Sequence, residues 1–191
     1  MEEKRLVIDL DKCVGCYACE AACRQEHGFP PESRWCRVFT VGPRSVDGKL
    51  NLDFVPFMCL HCDDPICSAS CPSSAITKTP DGTVEIDSEK CTGCRQCMLA
   101  CPYGAIYFDD KKKVAGMCSL CPDRVSAGLE PGCVQHCIGG ALMFLTEPES
   151  GRITRGMHTA GTGKVVYASS KWVLNMLEGR LLRTDSAADK N

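Results

Sequence analysis

Short apolar stretches alternate with polar, glycine-bearing loops along the chain, and one arrangement recurs. Val7-Ile8-Asp9 and Val84-Glu85-Ile86-Asp87 each precede a loop that contains the order Cys-x-Gly-Cys. Ala75-Ile76, Ala105-Ile106 and Ala141-Leu142 follow the ends of cysteine-rich loops in the same way. Each unit predicts a short strand, a loop, a short helix and a return strand, so the expected fold class is α+β.

An insertion interrupts these units at residues 24–56. Trp35–Val41 and Leu50–Val55 have the composition of strands, and Asp47-Gly48 between them is a turn signal. The segment therefore predicts a β-hairpin.

A C-terminal extension covers residues 146–191. Residues 169–183 predict a helix, and a mobile polar tail is expected to follow it. The residues at helical spacing are Trp172, Val173, Met176, Leu177 and Arg180. No run approaches the roughly 18 apolar residues that span a bilayer, so we expect no direct membrane span.

Cysteine changes this picture most, since 17 of the 191 residues are cysteine. That density favours a disulfide scaffold, a zinc-knuckle protein or an iron–sulfur carrier. The start of the chain, MEEKRLVIDLDKC, has no apolar export signal. We therefore expect the protein to lie in the cytoplasm, a compartment in which structural disulfides are rare. Export bound to a partner that carries a signal is also compatible with the sequence.

Sixteen of the cysteines fall into four groups of four, and only Cys36 is left over. Groups two and three are each followed directly by proline. In chain order the groups are Cys13, Cys16, Cys19 and Cys23; Cys59, Cys62, Cys67 and Cys71; Cys91, Cys94, Cys97 and Cys101; and Cys118, Cys121, Cys133 and Cys137.

The spacing within these groups is typical of [4Fe-4S] clusters. Three cysteines separated by two residues let a tight loop wrap one cluster, and a fourth cysteine three residues later ligates the other cluster of a pair. Zinc is the rival interpretation, because Cys-x2-Cys pairs also build tetrahedral sites. Zinc knuckles use cysteines two at a time, however, and leave the third cysteine unexplained.

The exchange of the fourth cysteine predicts how the groups pair. Groups two and three are contiguous and form one lobe over residues 57–108, so groups one and four form the other from residues 1–23 and 109–145. Each lobe resembles a bacterial two-cluster ferredoxin. The predicted ligand sets are Cys13, Cys16, Cys19 and Cys137; Cys118, Cys121, Cys133 and Cys23; Cys59, Cys62, Cys67 and Cys101; and Cys91, Cys94, Cys97 and Cys71.

Three segments resemble a known family: residues 58–67 (MCLHCDDPIC), 91–106 (CTGCRQCMLACPYGAI) and 118–137 (CSLCPDRVSAGLEPGCVQHC). The family comprises the four-cluster electron-transfer subunits of molybdenum and tungsten oxidoreductases, such as dimethyl sulfoxide reductase, polysulfide reductase and formate dehydrogenase. Similar polyferredoxins accompany tungsten aldehyde oxidoreductase and class II benzoyl-CoA reductase. The resemblance implies four [4Fe-4S] clusters. It suggests that the hairpin contacts a catalytic subunit, and a plain cover over the nearest cluster is the alternative. Cys23 and Cys137 lack the proline that follows Cys71 and Cys101.

We expect this chain to carry electrons and to have no catalytic residues of its own. The expected partner is a larger molybdenum- or tungsten-containing subunit, with a flavin- or quinone-linked redox subunit as a further candidate. A free-standing, diffusible polyferredoxin is the main alternative, and a filament of stacked subunits is a third arrangement. The chain alone has a net charge of −2, and four clusters would move it toward about −10, which disfavours nucleic-acid binding.

Three other residues adjoin this chemistry. His61 and His136 lie next to predicted ligands, where a polar supporting role is favoured over ligation or proton coupling. Cys36, beside Trp35, is interpreted as a buried thiol.

Overall fold

The computed structural model describes residues 3–29, 34–46, 48–161, 163–175 and 180–183. Its helices are short, and several begin within or directly after a cysteine-bearing loop. They are α1 (Ala18–His27), α2 (Ile66–Ala69), α3 (Gln96–Ala100), α4 (Pro122–Ser126), α5 (Gly132–Gln135) and α6 (Glu147–Ile153).

A four-stranded sheet joins the first strand of the chain to three later strands. Strand β1 (Lys4–Asp9) lies between an antiparallel neighbour, β8 (Leu142–Thr146), and a parallel one, β10 (Val165–Ser169), and β9 (His158–Ala160) completes the sheet beyond β10. Leu6, Val7 and Ile8 are fully buried, because β1 is a central strand with an apolar run. Segments from both ends of the chain therefore meet in one sheet.

Four two-stranded ribbons complete the strand inventory of the described residues. The long hairpin of β2 and β3 includes the predicted strand residues 37–41 and 50–55 and runs further. The other three ribbons have strands of three or four residues. The ribbons are β2 (Arg37–Val46) with β3 (Lys49–Phe57), β4 (Ile76–Lys78) with β5 (Val84–Ile86), β6 (Tyr107–Asp109) with β7 (Val114–Gly116), and β11 (Trp172–Asn175) with β12 (Arg180–Arg183).

The buried apolar side chains form two separate cores. The first contains Leu6, Ile8 and Tyr167 of the sheet and packs with cysteines of groups one and four. The second contains Val84 and Phe108 of the small ribbons and packs with cysteines of groups two and three. Strand β7 belongs to the second core, and Cys118, shortly after it, packs against both cores.

The helix predicted over residues 169–183 is wrong. Residues 172–175 and 180–183 are strands that pair antiparallel, and Ser169 ends β10. Trp172 and Val173 favour strands as readily as helices, and a pairing partner later in the chain decides the outcome. Met176, Leu177 and the polar tail at residues 184–191 lie outside the described residues, so the predicted mobility of the tail stays a prediction.

No helix within the described ranges combines the length and apolar character that a bilayer crossing requires.

Candidate iron–sulfur sites

The first predicted ligand set surrounds a cavity at the edge of the first core. Cys13, Cys16, Cys19 and Cys137 all line it. Three of these cysteines come from the loop before α1 and its first turn, and the fourth comes from the loop before β8. The fold therefore brings together cysteines from the two ends of the cysteine-rich region.

A second cavity in the second core has the same construction. Cys59, Cys62, Cys67 and Cys101 line it. Here too the fourth cysteine comes from another group, in this case the third.

Each of the remaining eight cysteines has members of its predicted set among its neighbours. The charges of Cys91, Cys71 and Cys94 act on Cys97. Likewise, the charges of Cys118, Cys121 and Cys23 act on Cys133, as does that of Cys19 from the first set. All sixteen candidates thus neighbour members of their own predicted set, while their role as iron ligands stays a prediction.

The internal repeat is visible in the backbone of the two Cys-x-Gly-Cys loops. Gly15 and Gly93 have φ values of +65° and +72°, and the residues before α1 and α3, Tyr17 and Arg95, are also left-handed. A Cβ at Gly93 would stand 2.5 Å from the carbonyl oxygen of Lys113. Glycine is required there, because any side chain would collide with backbone.

Backbone amides point at several candidate sulfurs. The N–H of Ala75 donates to Cys71 Sγ at 3.3 Å, and the N–H of Ala141 donates to Cys137 Sγ at 3.2 Å. Both amides lie in the Ala-Ile/Leu segments that the sequence repeat places after the fourth cysteine. Such bonds favour the thiolate form of a cysteine, which is the form that binds metal.

Burial acts against that form. Removal from water raises the pKa of Cys67 to about 11 and the pKa values of Cys23 and Cys118 to about 12. Buried thiols of this kind become thiolates when a metal supplies compensating positive charge. Cavities lined by four cysteines, with amide donors aimed at the sulfurs, fit a polynuclear iron–sulfur group. Within the described ranges, no group of three or more Cys, His, Asp or Glu side chains is arranged to hold a single metal ion.

Comparison with known proteins agrees with this chemistry. A family model described as a 4Fe-4S dicluster domain matches residues 50–147, and one described as a 4Fe-4S binding domain matches residues 6–26. The chain belongs to the 4Fe-4S dicluster family. The iron–sulfur interpretation of the cysteine groups is therefore confirmed over zinc knuckles and a disulfide scaffold.

Several curated proteins are similar to this chain. A polysulfide reductase chain of Wolinella succinogenes is 36% identical over 149 residues, covering 76% of this chain and 78% of the relative. A putative dimethyl sulfoxide reductase iron-sulfur subunit of Halobacterium salinarum is 36% identical over 168 residues, covering 73% and 64%. A tetrathionate reductase subunit of Salmonella typhimurium is 35% identical over 160 residues, covering 80% and 62%. The chain thus spans less than two thirds of the last two relatives.

Three polar side chains near the cysteines now have defined positions. His61 is fully buried, and its Nδ1 accepts a hydrogen bond from the Val84 N–H at 2.9 Å; burial lowers its pKa to about 4, so the ring is neutral. His136 Nδ1 lies 2.9 Å from the Gly132 carbonyl oxygen. The seventeenth cysteine, Cys36, is 4% exposed, and its thiol shares a hydrogen bond with Cys19.

Two residues near the sites were missed by sequence reasoning. His27 Nε2 lies 3.6 Å from Cys121 Sγ, and the ring packs against Phe29 and Trp35. Tyr167 is buried among cysteines of both cores. Neither belongs to a spacing motif, and only the alternation of Val165, Tyr167 and Ser169 along β10 indicates that Tyr167 faces a core.

Proposed function

We propose that this chain is an electron-transfer subunit that passes electrons through four [4Fe-4S] clusters. The electrons pass between a molybdenum- or tungsten-containing catalytic subunit and an external redox partner. The observation that supports the proposal is that two cavities are each lined by three cysteines of one sequence group and the fourth cysteine of another group. When bound, the clusters supply one-electron redox chemistry, and the chain holds them and excludes water from them.

In this proposal each cluster takes three cysteines from one group and the fourth from its paired group. The two lobes are residues 57–108 and residues 1–23 with 109–145, and the second core also includes Ala115 and Met117 beyond that boundary. The assignments are Cys13, Cys16, Cys19 and Cys137 for cluster I; Cys118, Cys121, Cys133 and Cys23 for cluster II; Cys59, Cys62, Cys67 and Cys101 for cluster III; and Cys91, Cys94, Cys97 and Cys71 for cluster IV.

The neighbours between sets support a linear order from cluster I to cluster IV. Cys19 of cluster I acts on Cys133 of cluster II. Cys118 of cluster II acts on Cys59 of cluster III. Cys97 of cluster IV lies in α3, and Cys101 of cluster III directly follows this helix. Electrons would therefore enter and leave at opposite ends of the series.

Exposed apolar side chains mark both ends. Val14 and Ile138 adjoin ligands of cluster I and are 59% and 77% exposed, while Leu99 lies between ligands of clusters IV and III and is 89% exposed. Apolar side chains on ligand loops suit docking surfaces, because partner contact there shortens the path to the cluster. The β2–β3 hairpin covers cluster I, with the Phe54 ring against Gly15, and its exposed Leu50 gives it a face for the catalytic subunit.

The names of the relatives support a place in a reductase complex, because each is a subunit or a chain of a reductase. A flavin- or quinone-linked subunit would be the external partner, and the cytoplasm is the expected location. A diffusible polyferredoxin would have the same cysteines, so the presence of a tightly bound catalytic chain distinguishes the two functions.

Anaerobic purification from the native host, followed by metal counting, tests the proposal. We expect about sixteen irons per chain and molybdenum or tungsten in a larger co-purifying subunit. The same iron without a second metal or a second chain would favour the diffusible carrier. Zinc in place of iron would refute the electron-transfer function.

A further inference from the structure

Tyr167 belongs to the first core. It lies on β10 opposite Ile8 of β1, and only 1% of its surface is exposed. The strand places it on the same face as Val165, which is fully buried. A phenol in such a position needs a partner for its O–H, because an unpaired buried hydroxyl costs about 1–3 kcal/mol.

The described residues provide no such partner. No oxygen, nitrogen or sulfur among them accepts a hydrogen bond from the buried Tyr167 hydroxyl. A backbone N–H, that of Met58, faces the phenol oxygen. An N–H cannot accept the phenol hydrogen, so the hydroxyl is a preorganised donor without an acceptor in the described part of the chain.

The surroundings of the hydroxyl are rich in sulfur. Cys36 and Cys118 pack in the same core as Tyr167, and Cys36, Cys118 and Cys59 would act on the phenol as thiolates. Cys118 and Cys59 belong to different proposed clusters, II and III. Tyr167 belongs to the first core, against which Cys118 packs while also packing against the second. Met58, whose N–H faces the phenol oxygen, directly precedes Cys59. The phenol is therefore near ligands of both clusters at the junction of the two lobes.

We propose that the Tyr167 hydroxyl donates a hydrogen bond to a sulfur of cluster II or cluster III and so sets the potential at the junction of the two lobes. The inference rests on the proposed four-cluster function. Tyr167 is a positioning and tuning residue, since it makes no bond to iron and transfers no electron itself.

The direction of the effect follows from charge. Reduction adds negative charge to a cluster, and a hydrogen bond to its sulfur stabilises the more negative form, which raises the reduction potential. Removing the donor must therefore lower the potential of the cluster that it touches. Clusters I and IV, which have no ligand among the cysteines that act on Tyr167, should not respond.

Tyr167→Phe is the direct test, because it removes one oxygen atom and keeps the ring. The four midpoint potentials are measured by EPR-monitored redox titration of the iron-loaded chain, purified without oxygen. Tyr107→Phe is the matched control, since Tyr107 is a half-buried strand residue outside both cores. We expect one of the two junction potentials to become more negative in Tyr167→Phe and all four to stay unchanged in Tyr107→Phe.

Iron counting separates the failure of this inference from failure of the proposed function. About sixteen irons with four unchanged potentials in Tyr167→Phe would refute the hydrogen bond and leave the electron-transfer function intact. Fewer than four clusters in the unmodified chain would refute the function itself. If Tyr167→Phe does not assemble, 3-fluorotyrosine at position 167 decides: its more acidic hydroxyl is a stronger donor, so we expect the same potential to rise, and no shift would refute the inference.

Discussion

Exchange of the fourth cysteine between groups makes a quantitative prediction about paired substitutions. Cys137 comes from the fourth group but lines the cavity of Cys13, Cys16 and Cys19. The double variant Cys13→Ala/Cys137→Ala therefore removes two ligands from one cluster. Cys133→Ala/Cys137→Ala instead removes one ligand from each of two clusters, although both cysteines belong to the same sequence group.

The magnitude follows from the number of clusters affected. Cys13→Ala/Cys137→Ala should lose one cluster, about four of about sixteen irons, and three midpoint potentials should remain. Cys133→Ala/Cys137→Ala should alter two clusters and leave only two native potentials. Cys36→Ala is the control, because this buried thiol is the cysteine outside the four sets, and all four clusters should form.

The assay combines iron determination with EPR redox titration of protein prepared without oxygen. Both readouts are needed, because a cluster with three ligands can lose a single iron and still be counted as iron. The reverse result would contradict the account: two altered clusters in Cys13→Ala/Cys137→Ala and one in Cys133→Ala/Cys137→Ala would mean that each group binds its own cluster.

Three further predictions concern the loops, the sheet and the docking surfaces. Gly93→Ala should lower the free energy of unfolding by about 2 kcal/mol or more, because its Cβ would meet the Lys113 carbonyl at 2.5 Å. Gly104 is also left-handed but faces open space, so Gly104→Ala should lower it by about half as much. Equal losses for the two variants in chemical denaturation would contradict the clash. Burial acts to raise the pKa of Asp11, but bonds from two serines, at the end of β10 and directly after it, outweigh burial and hold that pKa below its usual value; this stabilisation is complete above the unfolded pKa of about 4 and is lost as the pH falls through the folded pKa. Asp11→Asn should therefore lower the free energy of unfolding by about 1–2 kcal/mol. The loss should be the same at every pH from about 6 to 8, and a loss that varies with pH across this range would count against the assignment. Ile138→Glu and Leu99→Glu should each slow electron exchange at one end of the series, by about tenfold, with unchanged potentials in stopped-flow and titration experiments; equal slowing at both ends would disprove separate entry and exit surfaces.

The sequence predicts the cysteine chemistry well because ligand spacing is a local property. The Cys-x-Gly-Cys loops need a left-handed residue and a tight turn, and the glycines at positions 15 and 93 indicate both. Spacing also predicts that the fourth cysteine of a group ligates the paired cluster, since it follows the loop whose first three cysteines wrap the group's own cluster.

Pairing between distant segments is less accessible from sequence. Trp172 and Val173 form a strand because β12 lies beside them, and the periodicity that favours a helix contains no information about that partner. Strand β10 joins the first core as a parallel neighbour of β1, so part of the predicted extension belongs to the sheet of the first core. For the same reason Tyr167 escaped notice, because its position depends on a register between opposite ends of the chain.

Charge and burial complete the explanation of the site. An isolated chain would bury many thiols whose pKa values are raised well above neutrality. The positive charge of iron compensates the cost of burying these thiols as thiolates. We therefore expect cluster assembly and folding of the two cores to be coupled.

Mössbauer spectroscopy of the ⁵⁷Fe-labelled chain, combined with iron and protein determination, tests the central claim most directly. The account predicts about sixteen irons per chain, all in [4Fe-4S] centres with four cysteine ligands each. About eight irons, or a substantial fraction of iron in centres of another type, would contradict four clusters held by sixteen cysteines.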